Sequence, residues 1–278
     1  MDVAEHTGEL DGQPVFWRSA PSPSGHEAPV LYVHGVPTSC DDWLPFLERT
    51  GGLAPDLPGF GRSAKRGDFD YSIAGYDAWL ERFLDHVGVD RFRLVMHDWG
   101  SVGLALAQRM PERVERLVLI NAVPFLPGYR WHRTARIWRR RWAGELSMGA
   151  TRKWGMRRMS REANVTPGPL PEEVIERWWR DFDQGTQRAI LRLYRASPED
   201  VLAAAGARLG LVDCPSLVVW GERDPYLPTW LAGAYAEVLP AADTRLVPEA
   251  GHWPWLDTPA VTDDVSRFLT GDGPSPSA

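Results

Sequence analysis

The first half of the chain alternates short apolar runs with segments whose apolar residues recur at helical spacing. "GELDG" and "PVFWRSA" read as two strands joined by a tight "DGQ" turn. "VLYVHG" is a short apolar strand stopped by glycine, and "WLPFLERT" is a helix. "GGLAPDLPGFGRS" is a strand running into a Gly/Pro-rich turn. "YSIAGYDAWLERFLDHVG" has a helical apolar stripe that stops at Gly88, a natural C-cap. "RFRLVMH", "GSVGLALAQRMPE" and "VERLVLINA" then give strand, helix and strand. Such alternation implies a mostly parallel central sheet flanked by helices, an α/β fold.

The alternation breaks between residues 125 and 207, where the pattern predicts consecutive helices rich in Arg and Trp and no strand. It resumes with "CPSLVVWGERD", "TWLAGAYAEVL", "TRLVPEAGH" and a final helix, "PAVTDDVSRFL". The expected organisation is therefore an α/β core in two parts, 1–124 and 208–270. A helical cap, 125–207, is inserted between them, and a polar tail, 271–278, is expected to be disordered.

At 278 residues and 44% hydrophobic content, the chain can bury a substantial core. Its net charge of −6 argues against nucleic acid as a general partner. The polar N-terminus and the lack of any long apolar run predict neither a secretory signal nor a membrane span, so a cytoplasmic protein without a membrane partner is expected. Cys40 and Cys214 offer no disulfide framework and no metal-ligand spacing, and are read as reduced thiols. Fourteen tryptophans, several in the middle third, fit the lining of a large apolar cavity. "YRWHRTARIWRRRWAGEL" spaces Trp131, Trp138 and Trp142 as one helical face, with the arginines largely elsewhere. We expect those arginines outward and those tryptophans inward; His132 beside them reads as a surface or packing residue. "GFGR" lacks the third glycine and the strand–turn–helix setting of a dinucleotide loop, so no nucleotide is assigned.

Candidate chemistry begins at "RLVMHDWGSVG". A reactive side chain on a sharp strand-to-helix turn needs small neighbours. For Ser101 the glycine two residues before it is replaced by Trp99, whereas Asp98 ends its strand and has Gly100 two residues on. Met96 is larger than such a turn prefers. Two readings of Asp98 stand at this level: a nucleophile, or the N-cap of the next helix. His97 reads as a structural residue of the turn. A carboxylate nucleophile forms an ester, whose hydrolysis needs a base and a group to orient that base. "VPEAGHWPW" puts His252, and "LVVWGERDPYLP" puts Asp224, just beyond strand ends, on the sheet edge where Asp98 lies. The loop "HGVPTS" can aim a backbone N–H, such as that of Val36, at the same point; with the Trp99 N–H it would make an oxyanion hole. His34 and Pro37 of this loop, with Trp131 and Trp138, are expected around the substrate.

Taken together, "HGVP", "DLPGFGRS", "HDWG", "GERDP" and "GHWPWLDTP" resemble the α/β-hydrolase superfamily in order and separation over nearly the whole chain. Aspartate in "HDWG" resembles the epoxide hydrolase and haloalkane dehalogenase branch. The resemblance implies Asp98 as nucleophile, His252 as base, Asp224 as its acidic partner and no metal or organic cofactor. Epoxide hydrolases present two cap tyrosines to the epoxide oxygen. "ILRLYRAS" is similar to the segment carrying the second, which makes Tyr194 a proton donor; Tyr129, in "LPGYRW", is the other cap tyrosine and lies earlier than usual. The resulting expectation is a hydrolase of small apolar epoxides, with water as second substrate, acting as monomer or homodimer. The alternatives are a haloalkane dehalogenase with Trp-mediated halide binding, an esterase-like hydrolase, and a non-catalytic ligand-binding homologue.

Overall fold

The Asp11–Gly12 pair closes the first hairpin with both residues at positive φ (53° and 70°), the mirror-image turn whose twist matches paired strands. It joins β1 (Ala4–Leu10) to β2 (Gln13–Ala20). The computed structural model describes residues 2–23, 25, 27–165 and 170–271. There follow β3 (Val30–Val33), α1 (Leu44–Thr50), β4 (Gly52–Pro55), α2 (Ile73–His86), β5 (Phe92–Asp98), α3 (Gly103–Arg109) and β6 (Val114–Ala122). As expected, Gly88 follows α2 in the left-handed region, φ 71°.

Between β6 and the next strand the described residues form helices alone: α4 (Arg133–Arg139), α5 (Ala143–Ala150), α6 (Lys153–Ala163), α7 (Glu172–Asp181), α8 (Gln184–Ala196) and α9 (Glu199–Ala205). The chain then returns through β7 (Ser216–Gly221), α10 (Trp230–Val238), β8 (Ala242–Val247), α11 (Pro254–Asp257) and α12 (Ala260–Thr270). The expected tail from 271 falls, beyond Gly271, outside the described residues. Among the described residues no helix is long and apolar enough to cross a membrane.

The eight strands order as β1-β2-β4-β3-β5-β6-β7-β8. Pairings that involve β2 are antiparallel and the rest parallel. From β3 the chain steps to β4 on one side, then crosses back to β5 on the other. This makes the crevice at the carboxyl ends of β3 and β5 a topological switch point, where open α/β sheets hold ligands. β5, buried at every position, carries its chemistry to that edge only in its last residues.

The helices between β6 and β7 are tied to the core by polar contacts. Thr186 Oγ1 donates to the Gly59 carbonyl, Lys65 pairs with Asp183 at 2.9 Å, and Arg180 reaches Asp41 at 3.2 Å. Trp142 departs from the expected inward face. It stands 70% exposed, whereas Trp131 is buried and Trp138 partly so. The Arg/Trp stretch is two helices and not one: α4 ends at Arg139, and Trp142 takes φ 67° as the chain restarts in α5. Helical phase is lost across that break.

Candidate active site

Asp98 occupies the turn from β5 into the short 3-10 segment Trp99–Val102 that leads to α3. Its φ of 50° and ψ of −122° lie outside the regions a side-chain-bearing residue ordinarily prefers, a strain held by the surrounding packing. The packing needs glycine on both sides. A Cβ on Gly35 would lie 2.4 Å from the Asp98 Cβ, and one on Gly100 would lie 2.0 Å from the Val33 carbonyl oxygen. Met96 fits this turn because Gly103 leaves room for its sulfur, 2.9 Å from where a Cβ there would stand. The Asp98 side chain makes no capping hydrogen bond, so the N-cap reading of this residue does not describe the fold. Ser101 is fully buried, and its hydroxyl has no partner among the described residues.

The loops after β7 and β8 bring Asp224 and His252 to Asp98. His252 Nδ1 lies 2.7 Å from Asp224 Oδ2, and its Nε2 faces Asp98 Oδ2 at 3.5 Å. Asp224 is fixed by its other contacts. Oδ1 accepts the backbone N–H groups of Tyr226 (2.7 Å) and Leu227 (3.1 Å), and Oδ2 also accepts the Asn121 amide at 2.6 Å. Asn121, at the end of β6, accepts the Gly221 N–H in turn; the apolar run "VERLVLINA" gave no hint of that role. His97 sits beneath the site. A carbonyl only accepts, so His97 Nε2–H donates to the His252 backbone oxygen at 2.8 Å.

Val36 N–H donates to Asp98 Oδ1 at 2.8 Å, leaving Oδ2 on the side of His252. Among the described residues, the Trp99 N–H makes no hydrogen bond to this carboxylate, although it follows directly at the helix start. His34 is not at the substrate position expected for it. Its Nδ1–H donates to the Gly35 carbonyl and its Nε2 accepts the Leu57 N–H, so the buried ring uses both nitrogens to shape the loop.

A narrow cavity of about 40 Å³, smaller than the tryptophan content led us to expect, lies between this cluster and the helices above it. Asp98, His252, Val36 and Pro37 line its floor. Trp131, Trp138 and Tyr194 line its roof. Tyr129 is not among the lining residues; it stands edge-on to Trp131, ring centroids 5.3 Å apart. Seven lining residues went unread as site residues in the sequence, among them His132 and Tyr226. His132 caps α4: its Nδ1 accepts the Ala135 N–H at 3.4 Å, which leaves the proton of the neutral ring on Nε2. The indoles differ in what remains free. Trp131 Nε1–H donates to the Ser197 carbonyl and Trp253 Nε1–H to Asp42, while Trp99 Nε1 has no partner among the described residues.

Burial opposes ionisation of Asp98, but the hydrogen bond and charge of His252, with the Val36 N–H, outweigh it and hold its pKa below the usual value. Burial also opposes charge on His252; the Asp224 and Asp98 carboxylates overcome it and raise its pKa. His132 goes the other way, lowered to about 4 chiefly by burial, and is neutral near pH 7. Burial, and then the Asp98 charge, raise Tyr194 well above the usual phenol value, so it keeps its proton. Among the described residues no cluster of His, Cys, Asp and Glu is placed to hold a metal ion.

A family profile of the α/β hydrolase fold matches residues 28–259. A haloalkane dehalogenase of Mycolicibacterium paratuberculosis is 32% identical over 225 residues, covering 72% of this chain and 68% of the relative. A 2-hydroxymuconate semialdehyde hydrolase of Pseudomonas sp. is 25% identical over 273 residues, covering 90% of this chain and 87% of its own. Among solved structures, the haloalkane dehalogenase DbeA of Bradyrhizobium elkani has a TM-score of 0.83 at 24% identity, covering 97% of this chain and 98% of that one. The epoxide hydrolase CorEH also has a TM-score of 0.83, at 20% identity, covering 98% and 99%. These last two likenesses are of fold.

Proposed function

The chain belongs to the α/β-hydrolase superfamily, and from that premise we propose that it is an epoxide hydrolase, converting a small apolar epoxide to a vicinal diol through an ester on Asp98. The observation that carries this reading is the set of donors facing the cavity. A halide is well held by indole N–H groups, yet Trp131 and Trp253 already donate to protein acceptors. Besides the Trp138 indole, the groups that line the cavity with a proton to give include the Tyr194 and Tyr226 phenols and the neutral His132 imidazole, suited to an alkoxide that must gain a proton.

In the first step Asp98 Oδ2 attacks a ring carbon, the carbon–oxygen bond breaks, and the oxygen takes the Tyr194 proton. His132 Nε2–H steadies that oxygen in place of Tyr129, which is not among the residues lining the cavity. The ester neutralises Asp98 and removes one of the two carboxylates that keep His252 charged. The imidazole loses its proton more readily as a result; that proton replaces the one given by Tyr194, restoring the phenol and leaving His252 a neutral base. In the second step Nε2 takes a proton from water, and the hydroxide attacks the ester carbonyl carbon. Negative charge gathers on Oδ1, facing the Val36 N–H. Collapse breaks the bond from the carbonyl carbon to the alkyl oxygen, which takes the proton of the new carboxyl group; the diol leaves, and the Asp98 carboxylate and the His252 imidazolium are restored.

A second reading, haloalkane dehalogenation, has the same ester and is favoured by the unpartnered Trp99 Nε1–H and by the 32%-identical relative. Turnover of matched epoxides and bromoalkanes separates the two. Diol formation from epoxides, faster than bromide release, is expected. Bromide release without diol formation would make the protein a dehalogenase.

A further inference from the structure

The chain's overall negative charge conceals a strongly basic surface on the helices that roof the cavity. Between residues 130 and 155 the only carboxylate is Glu145, and it is engaged by Arg195. Arg139 pairs with Glu199, and Lys153 with Glu172 and Glu176. Arg130, Arg133, Arg136, Arg140, Arg141 and Arg152 are all exposed, and none meets a carboxylate among the described residues. The same segment holds three of the most exposed large apolar side chains: Trp142 at 70%, Leu146 at 73% and Trp154 at 70%. Trp142 and Leu146 lie one turn apart, the Leu146 N–H donating to the Trp142 carbonyl, and Trp154 is in the first turn of α6. Ile137 adds a further exposed aliphatic side chain on α4.

We propose that this face of α4–α6 docks on an anionic lipid surface, the arginines meeting headgroup phosphates while Trp142, Leu146 and Trp154 enter the interface. Exposed indoles and aliphatics among unpaired cations are what interfacial binding requires. The charge pattern disfavours the same face of a second copy, which would set arginine against arginine. The chain's net charge of −6 disfavours nucleic acid, and of these exposed apolar side chains only the two indoles have a ring to stack on a base. Thr134 and Trp138 of α4 and Met159 of α6 line the cavity, so docking brings its roof against the phase where apolar molecules partition. That last link to substrate supply rests on the reaction proposed above, whereas the docking itself does not.

The test is flotation with vesicles of phosphatidylcholine alone and of phosphatidylcholine with about a third phosphatidylglycerol. The protein should float with the anionic vesicles only and be released at about 0.5 M salt. Combined Trp142→Ser, Leu146→Ser and Trp154→Ser, and separately combined Arg133→Gln, Arg136→Gln and Arg141→Gln, should each lower the bound fraction by about tenfold. Melting temperatures near that of the parent would show that the variants fold. No flotation, flotation unaffected by either set in folded variants, tighter binding to a labelled oligonucleotide, or a dimer that buries the patch would each overturn the proposal.

Discussion

Asp98 and His252 meet through the one carboxylate oxygen that Val36 does not hold: Nε2 lies 3.5 Å from Oδ2, while Oδ1 accepts the Val36 N–H at 2.8 Å. The two oxygens are therefore already distinguished; in the proposed mechanism Oδ2 attacks the carbon and Oδ1 later holds the oxyanion charge. Replacing Asp98 by Asn keeps the shape but removes the nucleophilic charge. Turnover should fall by at least about a thousandfold with the melting temperature little changed. Activity near that of the parent, in protein shown by mass to have kept Asn, would contradict the assignment.

Tyr194 and His132 are expected to share the work of receiving the epoxide oxygen. Tyr194→Phe should slow ester formation by about ten- to a hundredfold, His132→Phe by less, and the double variant by less than the product of the two. Rapid-quench measurement of the ester-forming step reads this directly. An unchanged rate in Tyr194→Phe would remove the phenol as the acid.

The glycine at position 35 is required by the Asp98 side chain. Gly35→Ala puts a Cβ 2.4 Å from the Asp98 Cβ, so either the loop or the turn must move. A loss of about 1–3 kcal/mol and of most activity is expected. Gly149→Ala, at a helical position with nothing within 4 Å, is the control and should leave both unchanged. Equal behaviour of the two variants in thermal melts and turnover would refute the steric argument.

Asp42 lies buried under Trp253, where burial pushes its pKa up to about 6 against the hydrogen bonds from Thr38 and Trp253. A carboxyl raised on folding adds stability fully below its unfolded value near 4, and loses that contribution as pH rises through about 6. Asn keeps an acceptor for the indole without the buried charge. Asp42→Asn should therefore exceed the parent in stability above pH about 6, by at most about 2–3 kcal/mol, with no advantage below pH about 4. Melting curves across that range check it; lower stability of the variant at every pH would contradict it.

Asp98, Asp224 and His252 were legible in the sequence because each follows an apolar run that ends in a turn, and strand ends of one parallel sheet share an edge. Trp131 and Trp138 were legible for a similar reason, being close to or within one helix. Trp142 was not, because the positive φ that resets the chain after α4 leaves no periodic signal. His132 was also hidden. Its orientation follows from capping α4 through Nδ1, a choice between two ring nitrogens that no spacing encodes. His34 misled for the opposite reason: it lies beside the oxyanion loop in sequence but turns both nitrogens inward to Gly35 and Leu57. Asn121 ends an apolar strand with nothing to mark it, and its link to Asp224 spans 103 residues.

The central claim is that Asp98 becomes esterified by an epoxide and that His252 clears the ester. His252→Gln should make the ester accumulate, so intact-protein mass spectrometry after incubation with matched epoxides and bromoalkanes reads the chemistry directly. The account predicts an adduct equal to the whole epoxide, mapped to Asp98. An adduct of the alkyl group without halide, formed only from bromoalkanes, or an adduct on any other residue, would contradict it.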